Sequence, residues 1–85
     1  MNKTKANNIY DILVTEGGAN PSNRDSFVHY VTEDHDAEWR FCGSLGFGGK
    51  FYHNCGRIWV SCYSEDMNPE RQATIHLITS KLEAL

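Results

Sequence analysis

From Trp39 to Ser64 the chain reads WRFCGSLGFGGKFYHNCGRIWVSCYS, where apolar residues alternate with polar ones and glycines interrupt at fixed points. A period of two punctuated by turn residues is the pattern of strands whose two faces meet different surroundings. Gly48-Gly49 can supply the positive φ of a tight hairpin turn, and Asn54-Cys55-Gly56 a second one. The block therefore predicts three antiparallel strands in a meander.

Its flanks follow another period. Ile9, Ile12 and Leu13 stand at i, i+3 and i+4, which predicts a helix from about Asn7 to Glu16, ended by Gly17-Gly18. Residues 1–6 are then expected to be a flexible N-terminus. Ser22 followed three residues later by Asp25 has the form of a capping box and predicts a second short helix carrying Phe27, Tyr30 and Val31. Glu33, Asp34, His35, Asp36 and Glu38 crowd carboxylates near the end of that helix, where the macrodipole disfavours them, so this run reads as an exposed linker. Asn68-Pro69-Glu70 places an N-cap, a proline at the first helical position and an acid in the first turn. The helix it opens carries Ile75, Ile78, Leu82 and Leu85 on one face. The predicted order is α-α-β-β-β-α, an α+β fold ending in an amphipathic helix.

With 85 residues, this is one domain over 1–85 with a single modest core. No run of about 18 apolar residues exists, and MNKTKANNIYD lacks the apolar centre of a signal peptide. A cytoplasmic location is expected, and with it three reduced cysteines rather than a disulfide. A net charge of −3 resembles neither a dense acidic DNA mimic nor a basic duplex binder.

Strand register decides which side chains are offered to a partner. With Trp39 and Phe41, then Phe51 and His53, then Ile58, Val60 and Cys62 turned inward, the opposite face carries Arg40, Lys50, Tyr52, Arg57, Trp59 and Tyr63. Those six are the candidate partner-binding residues, because Trp, Tyr and Arg dominate interface energetics. The same face could stack single-stranded bases while its three cations meet phosphates, which makes weak nucleic-acid binding the second reading. A competing expectation is that a helix covers it. A three-stranded sheet is only about 14 Å wide and does not readily hold three helices of about 10 Å on one side. Self-association into a symmetric homodimer would also bury such a patch.

Other chemistries find less support. Gly43-Ser44-Leu45-Gly46-Phe47-Gly48-Gly49-Lys50 invites a phosphate-loop reading, but Ser44 and Phe51 stand where a Walker A motif needs Gly and Ser or Thr. His53 with Cys42, Cys55 and Cys62 offers zinc-type ligands without any C-x₂-C or H-x₃-H spacing, so no metal and no cofactor is expected. His53 and Cys55 are the centre of the third reading, a small thiol- or zinc-dependent enzyme. No nucleophile, base and orienting group are selected by a local motif, however, so no catalytic residue is assigned. The acidic run lacks the layout of a calcium loop.

The blocks Glu38-Trp39-Arg40-Phe41-Cys42-Gly43, Leu45-Gly46-Phe47-Gly48-Gly49-Lys50-Phe51 and Cys62-Tyr63-Ser64-Glu65-Asp66 with Pro69-Glu70-Arg71 resemble a group of short uncharacterised proteins encoded by phages and prophages. The similarity extends to Ile9-Tyr10-Asp11-Ile12-Leu13 and covers most of the chain. The resemblance implies no activity, cofactor or catalytic residue. It implies a setting, in which small phage proteins bind and block a host macromolecule, including defence complexes in the anti-CRISPR manner. The expectation is a non-catalytic binding protein that engages a host or phage protein through the basic-aromatic sheet face and does not enter membranes.

Overall fold

The computed structural model describes residues 1–33, 40–54, 56–62 and 68–85, with residues 40–42 described in the backbone alone. It shows an α+β domain in the order expected: α1 (Lys3–Gly17), α2 (Arg24–Thr32), β1 (Arg40–Ser44), β2 (Lys50–Asn54), β3 (Arg57–Ser61) and α3 (Pro69–Glu83). The strands form one antiparallel sheet in the order β1-β2-β3. A Cα radius of gyration of 12.2 Å matches the roughly 12 Å of a single packed chain of this length.

Helix α1 begins at Lys3, not Asn7, so residues 3–6 are helical and not a loose tail. Asn2 caps it, its side chain accepting a hydrogen bond from the Lys5 N–H at 2.8 Å. Ala6, Ile9, Tyr10, Leu13 and Gly17 make the buried stripe, spaced at three and four residues. Gly18, at φ 73°, closes the helix in the left-handed region. The capping box expected from Ser22 and Asp25 does not form. Asn20 Oδ1 accepts instead from the Ser22 N–H (3.0 Å) and hydroxyl (2.8 Å), and Pro21 starts a short 3-10 turn, Pro21–Asn23, ahead of α2. Pro21 has φ preset and no N–H to donate, which favours a new turn at that point.

Arg24 ties α2 to α1. Its guanidinium donates to Asp11 Oδ1 at 2.5 Å and to the Asn7 carbonyl and side-chain oxygens at 3.2 Å, and it lies 5.3 Å from the Tyr10 ring centroid. The Tyr10 hydroxyl donates to the Asn20 carbonyl at 2.6 Å, and burial pushes its pKa upward against the opposing pull of the Arg24 charge.

One core joins all three helices to the sheet: Tyr10 and Leu13 of α1, Phe27, Val28 and Val31 of α2, Ile78 of α3, Phe51 of β2 and Val60 of β3. Phe27 meets Tyr10 at 5.0 Å and Phe51 at 5.7 Å between ring centroids. Helix α1 packs on α2 and α3, while α3 contacts β3 and α2 rings meet β2. Three helices thus share a narrow sheet because the first is held mainly by the other two. On α3, Ile78 is 0% exposed, Ile75 and Leu82 are half-buried, and Leu85 lies past the helix end at 52% exposure, outside the stripe assigned to it. Asn68 caps this helix as expected, accepting from the Glu70 and Arg71 N–H groups.

The β1–β2 loop is docked on the end of α1. The Gly46 and Phe47 N–H groups donate to the Gly18 and Gly17 carbonyls at 3.1 and 3.3 Å, so the loop supplies donors to carbonyls that the helix end leaves without intrahelical partners. Gly48 provides the positive φ of the turn at 100°, and Gly56 does so at 81° before β3. No helix among the described residues is long and apolar enough to cross a membrane.

Candidate functional site

The strand pairings test the alternation residue by residue. In β2 and β3 the pairs Lys50 with Ser61, Phe51 with Val60, Tyr52 with Trp59, His53 with Ile58 and Asn54 with Arg57 run without interruption. Phe51, His53 and Val60 are buried, so Lys50, Tyr52, Arg57 and Trp59 occupy the alternate positions, together with Asn54 and Ser61. Strand β1 behaves differently. Arg40 pairs with His53 and Phe41 with Tyr52, after which a bulge shifts the register so that Gly43 pairs with Phe51. By its pairing, Arg40 falls in the His53 column and not in the Tyr52 column assumed from alternation. One extra residue inverts the phase of everything on its far side. The Arg40 side chain and all of Tyr63 lie outside the described residues, as do the linker from Asp34 to Trp39 and Cys55.

Four of the six candidate residues are therefore brought onto one two-stranded surface. At its centre the Tyr52 and Trp59 rings stack across the strands, with centroids 6.0 Å apart and planes inclined by 22°. Both are half-buried. Lys50 and Arg57 stand at opposite ends of the ladder, Arg57 exposed. An offset aromatic pair of this kind contributes about 0.5–1.5 kcal/mol beyond its burial.

Next to Trp59 the surface opens into a cleft of about 330 Å³ between the start of β3 and the ends of α1 and α3. Lys5, Ile9, Arg57, Leu82 and Glu83 line it with Trp59. Lys5 and Leu82 are absent from the candidate set because nothing local in the sequence relates them to Arg57. Only the packing of α1 on α3 and of α3 on β3 brings them together.

No family model, no curated protein and no solved structure matches the chain.

Among the described residues, His53, Cys62 and His29 each have a partner. His53, 3% exposed, accepts the Gly56 N–H on Nε2 at 3.1 Å and meets the Tyr30 ring edge-on at 5.5 Å. That bond assigns its proton to Nδ1 and uses the nitrogen that a base or a zinc ligand would need. The Cys62 sulfur accepts a hydrogen bond from Gln72 Nε2 at 3.3 Å. Among the described residues no three His, Cys, Asp or Glu side chains converge as a metal site would require. His29 pairs with Glu33 at 2.9 Å on the surface of α2.

Proposed function

We propose that the domain is a non-catalytic binding protein that docks a partner protein on the Tyr52–Trp59 surface and blocks it by occupancy. The observation that carries this reading is the cross-strand stack of Tyr52 on Trp59, flanked by Lys50 and Arg57 and continuous with the cleft beside α3. Aromatic rings stacked across a strand ladder lose little rotamer freedom on binding, and Trp, Tyr and Arg are the residue types on which interface affinity concentrates. The resemblance to short phage and prophage proteins supplies the setting: a host protein, including a defence complex, as the target of inhibition.

Stacked rings between two cations also favour the alternative of single-stranded nucleic acid, since bases can extend such a stack and phosphates can meet Lys50 and Arg57. Salt separates the two. Phosphate-driven binding falls steeply between about 50 and 200 mM salt, whereas a desolvated aromatic protein interface responds far less.

The test is co-precipitation from host lysate with the wild-type domain, Trp59→Ala and Arg57→Glu, beside fluorescence anisotropy with a labelled oligothymidine. A host protein held by the wild type and lost in both variants, with Arg57→Glu melting as the wild type does, supports the reading. Salt-sensitive oligothymidine binding without any protein captured transfers the surface to nucleic acid. A partner retained by both variants places the interface elsewhere.

A further inference from the structure

We propose that the cavity between α2 and the β1–β2 pair is a binding site for a small uncharged planar heterocycle with a hydrogen-bonding edge, of the size and kind of a nucleobase. This cavity is separate from the Tyr52–Trp59 surface, and its occupant does not depend on what that surface binds. Its volume is about 270 Å³. That exceeds the roughly 150 Å³ that suffices for benzene and approaches the roughly 300 Å³ at which drug-sized pockets begin, so one or two fused rings fit.

The floor is aromatic. Tyr10, Phe27 and Phe51 line it, the same three rings that form a continuous chain through the core. One wall is a glycine. Gly43 pairs with Phe51 just past the bulge in β1, and a Cβ at Gly43 would stand 2.9 Å from the Phe51 ring. The ring therefore lies against bare backbone at the edge of the cavity. A bulge next to a pocket is a common device for aiming strand residues at a ligand.

The rim is polar and uncharged. Asn20, Asn23, Ser26 and Ser44 surround the floor, and no Asp, Glu, Lys, Arg or His is among the described residues lining the cavity. Asn23 stands at the N-cap of α2 without making the capping bond usual there, so its amide is not committed to the helix. The Tyr10 hydroxyl, by contrast, is spent on the Asn20 carbonyl. Among the described residues lining the cavity no charged side chain is offered to a carboxylate or phosphate, which favours an uncharged ligand. A flat ring, with apolar faces toward the floor and donors and acceptors around its edge, matches an aromatic floor ringed by amide and hydroxyl groups.

Titration of the ¹⁵N-labelled domain with adenine, indole and benzoate at neutral pH tests the assignment. Adenine and indole are expected to shift the amides of residues 20–27 and 43–51 saturably, with a dissociation constant on the order of 1 mM or below and benzoate at least tenfold weaker. Ser26→Trp fills the cavity from α2, at an exposed position. It should weaken adenine roughly tenfold or more. Asn23→Ala removes a rim amide that holds no helix bond, so it should leave the melting temperature in place while weakening adenine several-fold. It decides the matter alone if the tryptophan variant fails to fold. The proposal is overturned by no saturation with adenine and indole up to about 10 mM, by benzoate binding equally well, or by adenine binding that none of the folded variants weakens.

Discussion

Replacing Gly46 by alanine should destabilise the domain far more than its place in a surface loop suggests. A Cβ on Gly46 would stand 2.8 Å from the Gly18 carbonyl oxygen and 3.3 Å from Gly18 Cα, both backbone atoms that cannot swing aside. To relieve that contact, the β1–β2 loop must lift off the end of α1, which breaks the hydrogen bonds from Gly46 to Gly18 and from Phe47 to Gly17. At about 1 kcal/mol each the two bonds account for roughly 2 kcal/mol, and loosening the buried Leu45 beside them adds a fraction. Stiffening the unfolded chain returns about 0.5–1 kcal/mol. The net loss is about 1.5 kcal/mol, or a melting temperature lower by roughly 6–12 °C for a chain of this size.

Gly56 supplies the control. It sits at φ 81° with nothing within 4 Å of the place a Cβ would take, so Gly56→Ala carries only the dihedral penalty less the same gain from the unfolded chain, a net of about 1 kcal/mol or less and at most roughly 4–8 °C. Thermal melts of the two variants by circular dichroism, run side by side, compare a steric cost with a conformational one in the same protein. If Gly46→Ala melts at or above Gly56→Ala, the loop is not anchored to the helix end in the way described.

Ile78→Asp should leave no cooperative melt, because a carboxylate in a position 0% exposed costs several kcal/mol against a total of roughly 5–10, whereas Leu82→Asp, at a half-buried site, should fold with a lowered melting temperature; equal effects from the two would contradict the phase of α3. Tyr10 has a raised pKa in the folded state, so above about pH 10 the unfolded chain ionises first and stability declines as pH rises toward the folded value. Chemical denaturation between neutral pH and the alkaline range should show this slope in the wild type and a smaller one in Tyr10→Phe; identical slopes would mean that the hydroxyl is not buried against Asn20. For His53, ¹⁵N NMR should show Nδ1 as the protonated, pyrrole-type nitrogen and Nε2 as the pyridine-type one, with the reverse assignment incompatible with the Gly56 hydrogen bond.

Much of this architecture could be read from local chemistry. Asn68-Pro69-Glu70 announced α3 because cap, proline and acid each act within one turn. The faces of β2 and β3 followed from alternation because their ladder has no interruption. What failed did so for identifiable reasons. The start of α1 is carried by Asn2 and by Ala6, whose single methyl gives no periodic signal even though it is 0% exposed. The phase of Arg40 and Phe41 was inverted by a bulge that nothing in RFCGS marks except the glycine after it. The cleft beside Trp59 required Lys5 and Leu82 to meet, a juxtaposition set by helix packing and not by spacing. Ser22 does not cap α2 because Pro21 starts a tighter turn, capped by Asn20, which leaves Asn23 at the N-cap of the helix.

The Phe51 ring laid over Gly43 binds two positions in neighbouring strands into a single unit of sequence variation. A side chain at 43 forces the phenylalanine at 51 to shift, since its first carbon would stand 2.9 Å from the ring. Gly43→Thr alone should therefore be deleterious, and Phe51→Val should act as its second-site suppressor by vacating the volume that the new side chain needs. Selection on such a pair does not act on either residue by itself. Among descendants of this chain, glycine at 43 and an aromatic at 51 should be kept together or exchanged together, and their joint drift would report on the pairing of β1 with β2 without any structure being determined.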